Sequence, residues 1–175
     1  MNDEIKQRLN LGCGNDVKIG YVNLDIVKND GVDVVHNLNE FPWPFSDNYF
    51  DEVYASHVLE HTDDLKNIMT EIKRICKNGA RVVIRVPHFS CGVSYRDPTH
   101  KRLFSFFTFD YFEKSKYELP EFKVIKKRLN FTRQAFTLLN NFLNPIFNLN
   151  PSLYERLLCW LLPCAEILFV LEVRK

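Results

Sequence analysis

The chain has no Cys-x-x-Cys pair. Its five cysteines (Cys13, Cys76, Cys91, Cys159 and Cys164) are odd in number and irregular in spacing. That argues against a disulfide framework and against a paired-thiolate metal site, so reduced thiols are expected. An excess of charge of one sign is also lacking. With 23 basic and 22 acidic residues the formal net charge is +1, and a nucleic-acid partner gripped by broad phosphate neutralisation is not expected. No uncharged apolar run reaches the roughly 20 residues of a membrane span. The nearest approach, Leu157 to Val170, is interrupted by Pro163 and Glu166. The first residues, Met1 to Arg8, are polar and carry no apolar signal core. A cytoplasmic location without a transmembrane segment is therefore expected. Internal repeats and low-complexity segments are absent as well. With 175 residues, 46% of them hydrophobic, the chain reads as one domain spanning 1–175.

What is present is an alternation of short apolar strands and connections. Gln7–Leu11, Tyr21–Ile26, Val32–His36 and Phe50–Ser56 read as four strands. A helix follows from about Thr62 to Cys76, with Thr62 or Asp63 as its cap. Leu65, Ile68, Met69, Ile72, Ile75 and Cys76 form its apolar stripe at helical spacing, and Gly79 suits its end. Arg81–Val86 is then a fifth strand. Strand, helix and strand at this spacing predict a right-handed parallel crossover and an α/β class. Phe122–Phe131 and Glu166–Val173 read as strands six and seven. Between them, Gln134 to Leu162 is apolar and helical in character, broken by Pro145 and Pro151. Only Asn15 to Gly20 separate the first strand's end from the second strand, too few for a crossover helix.

The sharpest chemical signal is Leu9-Asn-Leu-Gly-Cys-Gly14 followed by Asn23-Leu-Asp25. Glycines at the end of a buried strand allow a tight turn and close approach of the backbone to a ligand. An acidic residue ending the next strand can accept from two ribose hydroxyls. By themselves the glycines fit a plain strand-end turn equally well. A nicotinamide dinucleotide site fits less well: Val17 stands at the third glycine position, and Asp25 follows Gly14 by eleven residues rather than about twenty.

Further segments follow in order: Asn37-Leu38, Phe41-Pro-Trp-Pro-Phe-Ser-Asp47, His57-Val-Leu-Glu-His61 and Glu71-Ile-Lys-Arg-Ile-Cys-Lys-Asn-Gly79. Together with the glycine loop, this ordered set resembles the methyltransferase-domain family often described as type 11. The resemblance covers about the first half of the chain. It implies a Rossmann-like, seven-strand, mostly parallel sheet with helices on both faces and an antiparallel last strand inserted next to the sixth. It also implies S-adenosyl-L-methionine as cofactor. Leu11, Gly12, Cys13 and Gly14 would lie along its methionine part, Asp25 at the ribose, Ile26 against the adenine and Asn37 and Leu38 at the adenine edge. Ser56 and His57 would close over it. Asn10 stands where the family often has an acidic residue, and Asn37 where it often has Asp. Lys18 is a candidate for the positive charge that a helix N-terminus would otherwise offer the cofactor carboxylate.

On the acceptor side, Pro87 to Arg102 follows the fifth strand and holds His88, Asp97 and His100. Methyl transfer chiefly needs alignment of donor and acceptor, and a hydroxyl acceptor benefits from a base near neutral pH. His88, Asp97 and His100 are the catalytic candidates; a structured loop, with His100 simply bonded to Asp97, is the alternative. The same three residues as metal ligands have no spacing to support them, and no metal is expected. His57 and His61 can equally be structural. A small-molecule or glycan-type acceptor, methylated on oxygen, is expected; a non-catalytic scaffold with the same fold is the other class of reading. The 134–163 insertion reads as a lid, a membrane-surface patch or a homodimer contact, with lid or dimer favoured because few of its polar residues are basic.

Overall fold

The structure, a computed structural model, describes residues 7–113, 116–133 and 137–175. Seven strands form one sheet: β1 (Arg8–Leu11), β2 (Val22–Asp25), β3 (Val34–Val35), β4 (Phe50–Ser56), β5 (Cys76–Pro87), β6 (Phe122–Asn130) and β7 (Glu166–Val173). Their spatial order is β3-β2-β1-β4-β5-β7-β6. The first five pair in parallel, and β7 runs antiparallel between β5 and β6. This is the expected Rossmann-like sheet with its last strand inserted. Leu9, Leu11, Leu24, Val53, Ala55, Val82 and Ile84 are buried in its centre. Such near-continuous apolar runs are what parallel strands covered on both sides require.

Only one connection among the parallel strands carries a long helix. Helix α1 (Leu65–Ile75) starts at Asp64, whose side chain accepts from the Asn67 N–H at 3.1 Å. The cap therefore falls one residue beyond the positions expected. Ile68, Met69, Ile72 and Ile75 are fully buried against the sheet. The helix also carries a clamp. Glu71 accepts the Trp43 N–H at 2.8 Å, and Arg74 donates to the carbonyls of Phe45 (2.9 Å) and Trp43 (3.1 Å) and to Asp47 (2.6 Å). The buried Trp43 indole N–H donates to the Leu38 carbonyl at 3.1 Å. The helix-free segment 37–47 is thus fixed by side chains of α1.

The first connection is held differently. The Asn10 amide donates to the Asp16 carbonyl (2.8 Å) and to Asn23 Oδ1 (3.0 Å), which also accepts the Lys18 N–H at 2.9 Å. Two buried asparagines thereby satisfy backbone groups that a crossover helix would have satisfied itself.

After β5 come short helices α2 (Val93–Arg96) and α3 (Asp110–Glu113). The aromatic stretch buries Phe104, Phe109 and Phe112, with Phe109 stacked edge-to-face on Phe169 of β7 at 4.7 Å. Beyond β6, helices α4 (Asn140–Leu149) and α5 (Pro151–Leu153) run into a π-helical turn, Tyr154–Leu158. The insertion's asparagines have a definite task. Asn140, Asn144 and Asn148 recur every four residues on one face of α4. Asn144 accepts the Phe131 N–H at 2.8 Å, Asn148 pairs with both backbone groups of Leu129 (2.8 and 2.9 Å), and Asn140 with both of Thr132 (3.1 and 2.9 Å). A ladder of side-chain amides so covers the edge of β6 and its continuation, which an open sheet otherwise leaves unpaired. Residues 134–136 of the insertion lie outside the described residues.

Candidate functional site

The carboxyl ends of β1, β2 and β4 open onto a cleft of about 340 Å³, within the range of about 300–1,000 Å³ usual for small-molecule sites. Gly12, Gly14, Asp25, Ile26, Asn37, Leu38 and His57 line it. The other residues assigned to the cofactor are placed elsewhere. Leu11 and Cys13 are buried beneath the loop. Ser56 is the last residue of β4, in register with Arg85, and is not part of the cleft wall. The Lys18 ammonium is 2.9 Å from Asp16 and 4.4 Å from the centre of the Tyr54 ring. Its charge is spent on the first connection, not offered to the cleft. Sequence reasoning did not assign Leu24, His36, Asn39, Val58, His61 and Thr62, which complete the lining.

The glycine loop is built for close approach. Gly12 has φ +59°, and a Cβ there would meet Val58 Cγ2 at 2.2 Å. Gly14 has φ +49°, with open space where its Cβ would stand. The Asp25 carboxylate accepts the Gly14 N–H at 2.7 Å and the Val27 N–H at 3.0 Å. It ties the loop down while keeping lone pairs for further donors. Ile26 is 62% exposed, an apolar face offered at the cleft. A cradle over Gly14, an acceptor-rich carboxylate at the end of β2 and an apolar wall beyond it fit a nucleoside-bearing ligand. The two glycines separate fold from fit. Gly12→Ala should destabilise the chain by about 2 kcal/mol or more, from both strain and overlap. Gly14→Ala should cost about 1 kcal/mol in stability while weakening cofactor binding at least as much as Gly12→Ala does. Denaturant unfolding and ligand titration of both variants check this.

A second cavity of about 420 Å³ adjoins the first, lined by His57, Pro87, Cys91, Val93, Thr132, Arg133 and Ala165. His57 belongs to both. Its backbone is left-handed, φ +55°, a conformation a non-glycine residue holds only where its surroundings impose it. Its Nε2 lies 3.2 Å from Glu166 and its Nδ1 3.2 Å from Glu60. Burial disfavours the charged imidazole, but the two carboxylates outweigh it and hold His57 above the ordinary histidine range. Glu166 is 1% exposed. Burial alone would raise its pKa; hydrogen bonds from His57, Arg85 and Asn130 bring it down to about 2.

The candidates after β5 separate. His88 is wholly buried. The Ser90 N–H donates to its Nδ1 at 3.1 Å, so the ring proton sits on Nε2 and is donated to Glu155 at 3.1 Å. With both nitrogens engaged and no place in either cavity wall, His88 ties the loop to the insertion. The trio of His88, Asp97 and His100 therefore has no free His88 nitrogen to offer a metal. Asp97 and His100 stay together, 3.8 Å apart, beside His61, whose ring centre is 4.7 Å from that of His100. None of the described residues of the insertion lines the second cavity, so the lid reading finds no support there.

Residues 17–84 match the family model described as a methyltransferase domain. No curated protein matches the chain. Among solved structures, a S-adenosylmethionine-dependent methyltransferase of Archaeoglobus fulgidus superposes with TM-score 0.59 at 19% identity, covering 95% of this chain and 86% of that one. The methyltransferase of a Haloferax volcanii complex with the Trm112 methyltransferase activator gives 0.58 at 15%, covering 98% and 84%. The [4+2]-cyclase SpnF gives 0.62 at 13%, covering 97% and 74%. Over residues 17–84 the chain carries the methyltransferase-domain pattern, and its fold is that of the class I, Rossmann-like S-adenosylmethionine-dependent methyltransferases.

Proposed function

We propose that the chain transfers a methyl group from S-adenosylmethionine to oxygen of a small-molecule or glycan-type acceptor. The observation that carries this reading is the pair of adjoining cavities at the strand ends, with His57 in the wall of both. When bound, the cofactor supplies an electrophilic methyl group. The chain's own residues supply position. Asp25, Ile26, Asn37 and Leu38 would hold the nucleoside end, and Gly12 and Gly14 would let the backbone approach the rest. The second cavity, with His57, Thr132 and Arg133 among its polar groups, would seat the acceptor. Displacement at a methyl group needs alignment and exclusion of water above all. His57, fixed by Glu60 and Glu166 in a strained backbone, is suited to orient an acceptor against the cofactor cleft.

Radiolabelled methyl transfer to a panel of mono- and oligosaccharides and sugar nucleotides tests this. Native protein should label an acceptor. His57→Asn, which tolerates the left-handed backbone but cannot pair both carboxylates, should reduce turnover about 100-fold with cofactor affinity little changed. Cofactor binding without transfer to any acceptor would favour the scaffold reading instead. The internal engagement of Asn10 with Asp16 and Asn23 gives that reading substance.

We further propose that a second copy of the chain covers the insertion. Phe142, Ile146, Leu149, Leu157, Trp160 and Leu161 are all more than half exposed, and a self-complementary apolar face closes by two-fold pairing. Among the described residues no helix is long and apolar enough to cross a membrane. Sedimentation should show a dimer that Phe142→Glu with Leu161→Glu converts to monomer. A native chain that sediments as a monomer at micromolar concentration would refute the contact.

A further inference from the structure

Glu60 lies in the short 3-10 turn (Leu59–His61) that directly follows β4 and is 1% exposed. Neither carboxylate oxygen accepts a hydrogen bond. His57 Nδ1 comes within 3.2 Å of Oε1, but out of line for one. With that one out-of-line ion-pair contact and no hydrogen bond, a buried carboxylate keeps lone pairs that a further cation would satisfy.

Two imidazoles face the same point. The ligand atoms of Glu60, His61 and His100 all lie within 4.8 Å of one another. Nδ1 of His100 is buried and also without a hydrogen-bond partner. Outer groups set both rings. The Thr99 hydroxyl donates to Asp97 Oδ1 at 2.6 Å, so at 2.8 Å from His61 Nδ1 its oxygen accepts that ring's N–H. The lone pair of His61 is thereby left on Nε2. Asp97 Oδ2 stands 3.8 Å from His100 Nε2, on the opposite side of the ring from the unpartnered nitrogen. At 3.8 Å this is an ion-pair contact rather than a hydrogen bond, but it puts a carboxylate on the side of the imidazole where metal-binding histidines carry one. The backbone brings the pieces together: the Lys101 N–H donates to the Glu60 carbonyl at 2.7 Å.

We propose that Glu60, His61 and His100 bind a divalent transition-metal ion at the edge of the cofactor cleft, with Thr99 and Asp97 orienting the imidazoles. Two imidazoles and a carboxylate suit zinc, cobalt, manganese or ferrous iron. Ligand bonds of about 2.0–2.1 Å place tetrahedral ligand atoms about 3.3 Å apart, a closure that small side-chain rotations supply. Three protein ligands leave a coordination position open, and His61 is part of the cleft wall. The ion would also fasten the 97–102 loop to the end of β4.

Cobalt(II) titration of the untagged, chelator-treated full chain, followed by visible absorption, tests the site without reference to methyl transfer. One equivalent should bind with the intense spectrum of a four- or five-coordinate ion. Glu60→Gln and His100→Gln should abolish that spectrum, and Thr99→Val should weaken binding about 10- to 100-fold. His36→Ala should leave it intact. Glu60→Gln keeps the side chain's shape and gives up one ion-pair contact with His57, so it should remain folded and melt close to the metal-free native chain. Absence of the spectrum in the native chain, or its survival in Glu60→Gln, would overturn the proposal.

Discussion

An Asp25→Ala chain should bind S-adenosylhomocysteine at least about 100-fold more weakly than the native chain. The carboxylate holds the Gly14 and Val27 N–H groups and would accept from the ribose as well. Hydrogen bonds to a charged group contribute about 1.5–3 kcal/mol each, and two lost together amount to 100-fold or more in affinity. Loss of the loop tie adds to this, because an untied loop must be ordered at the moment of binding. Asp25→Asn keeps the shape and one acceptor and should fall between. The variants should remain folded, since Asp25 ends its strand half-exposed and outside the core. Equilibrium dialysis with labelled ligand gives the answer; native affinity in Asp25→Ala would remove Asp25 from the site.

The largest stability effect is expected at Glu155. Its carboxylate takes three donors from two segments: His88 Nε2 at 3.1 Å, and the Ser105 hydroxyl at 2.8 Å with the Phe106 N–H at 2.6 Å. Glu155→Ala leaves all three donors facing a largely buried gap, and a loss of about 3–5 kcal/mol is expected. Glu155→Gln keeps an acceptor and should cost less than half of that. Burial works to raise the Glu155 pKa, but His88, the Phe106 N–H and Ser105 prevail and lower it. Glu71 is lowered against burial by Arg74 and the Trp43 N–H, and Glu166 reaches about 2. Each folded-state value lies below the unfolded one. Their stabilisation is therefore complete above an unfolded pKa of about 4.3 and is lost as pH falls through the folded values. Denaturant midpoints should rise slightly from about pH 7 to pH 5, as His57, held above the ordinary histidine range, protonates in the folded chain first, and drop steeply below about pH 4. Glu155→Ala should flatten part of that drop.

The positions of the strands were legible because each is a short apolar run bounded by glycine, proline or a polar turn, and α1 because its stripe has one period; the antiparallel last strand followed only from the family resemblance. The glycine loop was legible because a tight turn at a strand end demands glycine, and Asp25 because a carboxylate ending the next strand can accept from ribose hydroxyls. Lys18 was misplaced because a local partner, Asp16, is invisible as such in sequence. His88 looked catalytic from its position after β5. Only Glu155, 67 residues away, shows that its nitrogens are already engaged. The same distance effect hid the approach of His100 to Glu60 and His61, which no spacing rule joins. The asparagines of the insertion read as polar punctuation until α4 set them four apart along an open strand edge.

Calorimetric titration of the native chain with S-adenosylhomocysteine tests the central claim most directly. One ligand per chain, bound at micromolar concentration or tighter and raising the melting temperature, is the result expected of the cleft formed by Gly12, Gly14 and Asp25. No heat and no shift in melting at saturating ligand would contradict the assignment of that cleft to the cofactor.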